Sequence, residues 1–506
     1  MEIEHKIKNI DELADIVADL RANGKRVALC HGVFDLLHIG HIRYFRQAAG
    51  WADVLVVTVS PDRYVDKGPH RPAFPEALRA EGVASQDVVD YVALNEWPTA
   101  EELLRKVKPD VYVKGADFKS IEADPTGKLQ REAEVCKEIG TELKLTREIV
   151  FSSTNLINRF LSSFPDEVKE YLEIFRSRYD IKEIDELLAR MREITVTVVG
   201  DTILDDYQYC SPLGSSSKAP VMAFSHMDGD LFAGGVLAIA NHLAQLAGEV
   251  RLFTVLGEKD TQEEFVREHL LENVVPYFAY QKDAPTIRKR RYLEGDTFTK
   301  LFEIYHMDDS GLDRARDEEF RAAVIESAQK SDLTLAADFG HGAISAQCRQ
   351  ELAAAPFLAV NTQANAGNRG FHTISSYDRC DFVSLAEPEV RLDTRDKQSG
   401  VTSLTTVVRE RVGAGMVAVT RGKKGSYIQT ESLGLLIPAF ADKVLDKVGS
   451  GDAFFAVASL AACLKTPPEM VGFLGNIAGS IAVGIIGNKV PVTRQAILKH
   501  VTSLMK

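Results

Sequence analysis

Twice along this chain a short apolar run stops at glycine and gives way to helical periodicity, which narrows the fold more than any other feature. Arg26-Val27-Ala28-Leu29-Cys30 ends in His31-Gly32 and leads into a helical pattern from His41, and Thr195–Val199 ends at Gly200-Asp201. Continuous apolar runs mark strands covered on both faces; with crossover helices between them they predict parallel sheets of the α/β kind. The signal recurs at Val54–Val59 and Val111–Val113, with helices expected over His41–Ala49 and Ala100–Lys106. It appears again at Val250–Leu256, Leu333–Ala337, Leu358–Val360 and Met416–Thr420. Between the halves, Phe164–Glu193 is charge-rich, glycine-free and helix-favouring. A length of 506 residues suits more than one domain. The expected division is residues 1–162, a helical connector over 163–192, and a second domain over 193–506. The halves do not repeat each other, so the chain reads as a fusion.

Composition excludes several classes. Charged residues at 26% and hydrophobic ones at 45% are those of a globular chain. No run approaches the ~18 apolar residues of a membrane span. The best stretch, Ile477–Ile486, is interrupted by Gly479 and Gly484 and reads as a buried helix. The start, Met1-Glu2-Ile3-Glu4-His5-Lys6, lacks the apolar core of a signal peptide. Six cysteines stand far apart with no C-x-x-C pair, which suits reduced thiols in a cytoplasmic protein. A net charge of −13 argues against a grip on nucleic acid. The expectation is a cytoplasmic enzyme of small molecules, with neither nucleic acid nor membrane as partner.

At the first strand-to-helix turn stands His31-Gly32-Val33-Phe34-Asp35-Leu36-Leu37-His38-Ile39-Gly40-His41. Helix starts carry partial positive charge and free N–H groups, so phosphate binds there readily, and Gly40 permits close approach. His38 and His41 can donate to phosphoryl oxygens as charge develops; in nucleotidyl transfer, positioning and electrostatics supply most of the catalysis. Val111-Tyr112-Val113-Lys114-Gly115-Ala116-Asp117 ends a later strand, and Phe151-Ser152-Ser153-Thr154 offers hydroxyls to a second helix start, with Arg159 beyond. On these segments, residues about 24–162 resemble the nucleotidyltransferases with a G-x-F-D-x-x-H-x-G-H signature, which include cytidylyltransferases and heptose 1-phosphate adenylyltransferases. The resemblance implies a Rossmann-like domain that joins a nucleoside triphosphate to a sugar phosphate, releases pyrophosphate and uses Mg²⁺. It implies that His38 and His41 stabilise the transition state and that Lys67, assisted by Arg71, neutralises phosphates. Gly32 and Phe34 belong to the signature, Lys114, Gly115 and Asp117 would lie by the nucleoside, and Ser153, Thr154 and Arg159 would close over the phosphates.

Near the other end stands Asp446-Lys447-Val448-Gly449-Ser450-Gly451-Asp452. Three small residues in a row let backbone N–H groups form an anion-binding nest at a helix start. An acid at its rim can take a proton from an attacking hydroxyl while the nest holds the γ-phosphate. Earlier partners are Val199-Gly200-Asp201-x-x-x-Asp205 and Phe232-Ala233-Gly234-Gly235, and Val419-Thr420-Arg421-Gly422 follows a later strand. In that order, roughly residues 181–506 resemble the ribokinase/PfkB sugar kinases. The resemblance implies Asp452 as general base, Gly449, Ser450 and Gly451 as the anion hole with Asp446 at its edge, and Thr420 and Gly422 near ATP. Asp201 and Gly235 would hold sugar hydroxyls, with Asp205 and Gly234 beside them. Three departures stand out: Ala238 replaces an asparagine of the family, His341 a lysine, and Ala386 an asparagine upstream of the retained Glu389, which is associated indirectly with Mg²⁺.

Together the halves resemble the bifunctional kinase–adenylyltransferases of ADP-heptose synthesis, with domain order reversed. That implies nucleotidyl transfer from ATP to a heptose-like sugar 1-phosphate, phosphorylation of a sugar or sugar phosphate, and a homo-oligomer, a dimer by family habit. Two alternatives stay open: a kinase-like domain kept for ligand sensing or dimerisation, and a CTP-dependent transferase acting on a polyol phosphate.

Overall fold

A computed structural model describes residues 3–65, 72–115, 128–146, 164–295, 297–441 and 444–505. The fold is α/β and divides into two compact units, Met1–Phe164 and Pro165–Val501. Each apolar run expected to be a strand forms one.

The first unit is built on one six-stranded sheet in the order Ile7–Lys8, Tyr91–Leu94, Val54–Val59, Val27–Gly32, Val111–Lys114, Glu142–Leu145. Every neighbouring pair is parallel. Val27, Ala28, Leu29 and Cys30 are fully buried because helices cover both faces. Ile10–Ala22 and Glu101–Val107 pack on one side; Ile39–Ala49 and Glu76–Ala84 pack on the other. From Val27–Gly32 the chain first adds strands on one side and then crosses to Val111–Lys114 on the other. That reversal opens a crevice at the carboxyl ends of these two strands, where α/β sheets bind ligands. The helix expected from His41 begins earlier, at Ile39, because the His38 side chain caps it.

In the second unit a larger sheet runs Val274–Pro285, Glu249–Lys259, Thr195–Ser215, Leu333–Asp338, Leu358–Thr362, Phe382–Ala386, Met416–Thr420, Ser426–Gln429, Gly434–Ile437. It is parallel up to Met416–Thr420 and antiparallel over its last two pairings. The expected strand Thr195–Val199 is the start of a much longer one, Thr195–Ser215. Its far half leaves the main sheet and pairs with Met222–Gly235 on one side and Arg288–Glu294 on the other, with Lys300–His306 outermost. These polar strands form a smaller second sheet that no apolar run announces. The helix Ser450–Cys463 is buried from Asp452 through Ala462, and Pro468–Ala482 packs beside it. The latter ends at Ala482 rather than Ile486, the chain turning through Val483–Gly487. The charge-rich stretch forms Asp166–Arg178 and Ile181–Arg190, and it packs on this unit: Phe175 stacks on Phe473 at 3.9 Å, and Arg178 pairs with Glu469 at 2.9 Å.

Candidate active sites

In the first unit the crevice gathers the Gly32–His41 turn. The Nδ1 of His38 accepts the Gly40 N–H at 3.0 Å, so this imidazole is the N-cap of the Ile39–Ala49 helix. Burial holds the His38 pKa below its ordinary value, which keeps the ring neutral. With Nδ1 accepting, the proton of the neutral ring belongs on Nε2, a buried atom with no hydrogen-bond partner among the described residues, leaving a donor ready for an anion. The His41 ring lies 4.1 Å from the His38 ring, centroid to centroid, and meets the Phe34 edge at 5.5 Å. Phe34 sits at φ +48°, an unusual backbone for an aromatic residue, which marks a turn held by its surroundings.

What holds it is Arg79, which the sequence reading did not single out. Its side chain has no exposed surface. It donates to the carbonyls of Val33, Ser60 (2.8 Å) and Phe74 (2.9 Å) and to the Asp62 carboxylate (2.6 Å), joining three crevice loops. Asp35 accepts the N–H groups of Ala73 and Phe74 at 2.7 and 3.1 Å. Lys114 ends its strand beside Gly115 and pairs with buried Glu132 at 2.9 Å. Lys67, Arg71, Asp117, Ser153, Thr154 and Arg159 lie outside the described residues.

In the second unit a cavity of about 220 Å³ is lined by Asp205, Gly235, Lys289, Arg291, Gly449, Gly451 and Asp452, among others. Gly449 adopts φ +80° ahead of the helix, and a Cβ there would run into the Asn488 side chain. Gly234 leaves room for the Asp205 carboxylate, which a Cβ would strike. Arg291 pairs with Asp205 and, at 3.0 Å, with Glu303. Burial, reinforced by the Asp205 and Glu389 carboxylates and opposed by Lys289, pushes the Asp452 pKa up to about 7. An acid poised near neutrality in a cavity at a helix start can hold or release a proton at working pH.

The other candidates fall around this cavity. Asp201, expected to hold a sugar hydroxyl, does not line it. Its two oxygens accept the N–H groups of Phe339, His341 and Ala343 at 2.9, 3.3 and 3.0 Å, so it shapes the following loop, and Asp205 takes the place facing the cavity. Burial and the nearby Asp338 push the Asp201 pKa up to about 6. Asp446 accepts from the Tyr207 hydroxyl (2.5 Å) and the Val448 and Gly487 N–H groups (3.1 and 3.2 Å), and it fixes the turn before the nest. The Ser450 hydroxyl donates to the Lys447 carbonyl at 3.0 Å. Thr420 ends the Met416–Thr420 strand and Gly422 lies two residues beyond it, neither of them in the cavity lining. Glu389 engages both oxygens with the Ala386 and Ala364 N–H groups at 2.7 and 3.3 Å, and burial pushes its pKa up to about 7. His341 is buried against Asn365, its pKa pushed down to about 4 by burial and then by Lys289. Lys289 and Arg291 were missed; their one signal is the Arg288-Lys289-Arg290-Arg291 run, whose alternate members share a strand face.

Comparison with known proteins agrees with this division. Residues 29–159 match the family model described as cytidylyltransferase-like, and residues 195–493, more than half of the chain, match that of the pfkB family carbohydrate kinases. The bifunctional protein HldE of Geobacter metallireducens is 36% identical over 165 residues, 32% of this chain and 32% of the relative. That of Nitratiruptor sp. is 44% identical over 121 residues, 24% of this chain and 26% of the relative. The chain thus matches about a third or less of the length of these relatives. Among solved structures, Escherichia coli phosphofructokinase-2 with potassium superposes with TM-score 0.51 at 15% identity, over 62% of this chain and all of that one. The same enzyme with fructose-6-phosphate gives 0.51 at 15% identity, again over 62% and 100%. At that identity the likeness is one of fold.

Proposed function

We propose, from the premise that the chain belongs to the pfkB family of carbohydrate kinases, that it is a bifunctional enzyme which phosphorylates a sugar or sugar phosphate and transfers a nucleotidyl group to a sugar 1-phosphate. The observation that carries the kinase reading is Asp452, held near neutrality in a cavity that also presents Asp205 and the Gly449–Gly451 backbone. Asp452 takes the proton of the acceptor hydroxyl as that oxygen attacks the γ-phosphate of ATP. The N–H groups at the start of Ser450–Cys463 receive the developing charge, and Asp205 orients the acceptor. In the first unit, His38 Nε2–H and the helix start at Ile39 face the triphosphate, stabilising charge as pyrophosphate leaves.

Mg²⁺ would neutralise the triphosphates. Among the described residues no group of three or more His, Cys, Asp or Glu side chains could hold such an ion. The residues therefore fit a metal delivered with the nucleotide, with Glu389 acting only indirectly. ATP is the nucleotide favoured in both units, on the resemblance of Val113-Lys114-Gly115 and its surroundings to adenylyltransferases of heptose; CTP is the alternative for the first. A homo-oligomer is supported by exposed Phe302 and Ile304 on the outermost strand of the small sheet. One solved relative is titled a tetrameric inhibited form. The six cysteines are free thiols, which fits the cytoplasm. No helix among the described residues is long and apolar enough to cross a membrane.

The test is ADP formation from Mg·ATP and heptose 7-phosphate, with Asp452→Asn as control, beside pyrophosphate release from a panel of nucleoside triphosphates with heptose 1-phosphate. Turnover lost in the control supports the kinase. Sugar-phosphate binding without ADP from any acceptor favours the sensing alternative.

A further inference from the structure

Among the described residues that line the second unit's cavity, Gln363 has the one neutral polar side chain. The other polar side chains there belong to the acids Asp205 and Asp452 and to the cations Lys289, Arg291 and Lys447. Gln363 directly follows the strand Leu358–Thr362, and its backbone N–H donates to the Asp338 carbonyl at 3.3 Å. The next N–H, that of Ala364, donates to the Glu389 carboxylate, also at 3.3 Å. The backbone is thus fixed, whereas the half-buried carboxamide makes no hydrogen bond with any described residue. One strand, Leu333–Asp338, separates Leu358–Thr362 from Thr195–Ser215, which carries Asp205 and pairs with the strand of Lys289 and Arg291. At the usual spacing of neighbouring strands, Gln363 stands about 10 Å across the sheet from that side.

We propose that the Gln363 carboxamide donates a hydrogen bond to the transferring γ-phosphate of ATP and is a catalytic residue of the kinase. The inference rests on the kinase reading and adds a group to that site. Asp452 receives the proton of the hydroxyl that attacks the γ-phosphorus, so the γ-phosphate must enter the cavity that Gln363 and Asp452 both line. Asp205 marks the acceptor's end of that cavity, and Gln363 stands at the other. Charge in such a transfer spreads over three equatorial oxygens, so a donor from the sheet side complements the Gly449–Gly451 amides at the helix start. Neutrality matters here. A cation in this place would draw down the pKa of Asp452, which Asp205 and Glu389 hold up and Lys289 already opposes. A carboxamide donates without that cost. In the step itself the acceptor oxygen bonds to the γ-phosphorus, the bond to the bridging oxygen breaks, the hydroxyl proton passes to Asp452, and ADP leaves. Gln363 exchanges no proton.

The experiment is calorimetric titration of the full chain with Mg·ADP and with Mg·AMPPNP, the imido analogue of ATP that keeps a γ-phosphate. Nucleotide bound by the first unit is common to wild type and variants and cancels in the comparison. Gln363→Leu, shown folded by an unchanged melting temperature, should weaken AMPPNP about 10- to 100-fold, the span of one hydrogen bond to a charged group. It should leave ADP within about twofold. Gln363→Glu keeps the shape and loses the donor, so it should weaken AMPPNP more than ADP, and it serves if the leucine variant melts early. Gln363→Lys retains a donor and should hold AMPPNP at least as tightly as wild type. With an acceptor that turns over, it should also move the midpoint of kinase kcat/KM to lower pH, as an added cation does and a packing change does not. Equal losses for both nucleotides, no loss for either, no AMPPNP binding at all, or a lysine variant as weak as the leucine one would overturn the proposal. The expected binding pattern without ADP formation from any acceptor would count against the kinase reading and leave the Gln363 assignment standing.

Discussion

In the first unit the polar groups of the candidate site, among the described residues, come largely from one stretch of chain, Gly32 to His41, bound to a single strand-to-helix turn. The cavity of the second unit draws Asp205, Lys289 and Asp452 from a long strand, a small-sheet strand and a buried helix. Their electrostatics differ as well. His38 is partly exposed and kept neutral so that it can donate. Asp452 is buried beside other carboxylates and raised into the range where a base can accept. Among the described residues, the proposed transferase site is built on a local motif of backbone amides and a capped helix. A proton transfer, by contrast, calls for groups brought together from distant segments, because burial and like charge must both act on one carboxyl.

The largest effect expected is at that carboxyl. Asp452→Asn should lower kcat for ADP formation by about 10³-fold, the scale of a general base, while pyrophosphate release is unchanged. Next comes His38→Ala, which should reduce pyrophosphate release by about 10²-fold and leave ADP formation intact. His38→Asn sharpens the comparison: it restores an N-cap acceptor without the imidazole, so thermal stability should recover by about 1 kcal/mol while activity stays low. Gly449→Ala forces a side chain into a left-handed position against Asn488. It should cost about 1–2 kcal/mol in unfolding and lower kinase kcat about tenfold, read by melting and by ADP assay. The smallest effect is in pH. Since the base must be deprotonated, kinase kcat/KM should rise with pH and level off above about 7. The Glu389 carboxylate helps raise Asp452 where it is ionised, so Glu389→Gln should move that midpoint to lower pH, with the change in rate largest near pH 7, where both carboxyls titrate.

The same contrast explains what could be read in advance. Val27–Gly32, Val54–Val59 and Leu333–Asp338 are covered on both faces and write themselves as apolar runs. The His38-Ile39-Gly40-His41 turn and the Gly449–Asp452 nest are contiguous, so their chemistry is visible in spacing alone. The small sheet was not legible: in Met222–Gly235 and Lys300–His306 one face meets solvent, and bulges at Tyr209/Cys210 and Pro212/Gly214 break the period. Lys289 and Arg291 were missed with it, since only the pairing of their strand with Thr195–Ser215 brings them to the cavity. Asp201 and Asp205 are alike in the sequence. Only the loop that closes on Asp201 through three backbone N–H groups separates a residue that shapes the wall from one that faces the cavity. Arg79 looks like any helical arginine until its carbonyl partners are known.

The most direct test of two separate active sites on one chain is to measure ADP and pyrophosphate on the same preparations of wild type, His41→Ala and Asp452→Asn. The account predicts a crossed pattern, in which His41→Ala loses only pyrophosphate and Asp452→Asn loses only ADP. A single substitution that silences both products in a folded protein, or a variant that retains the product its residue is assigned to make, would contradict it.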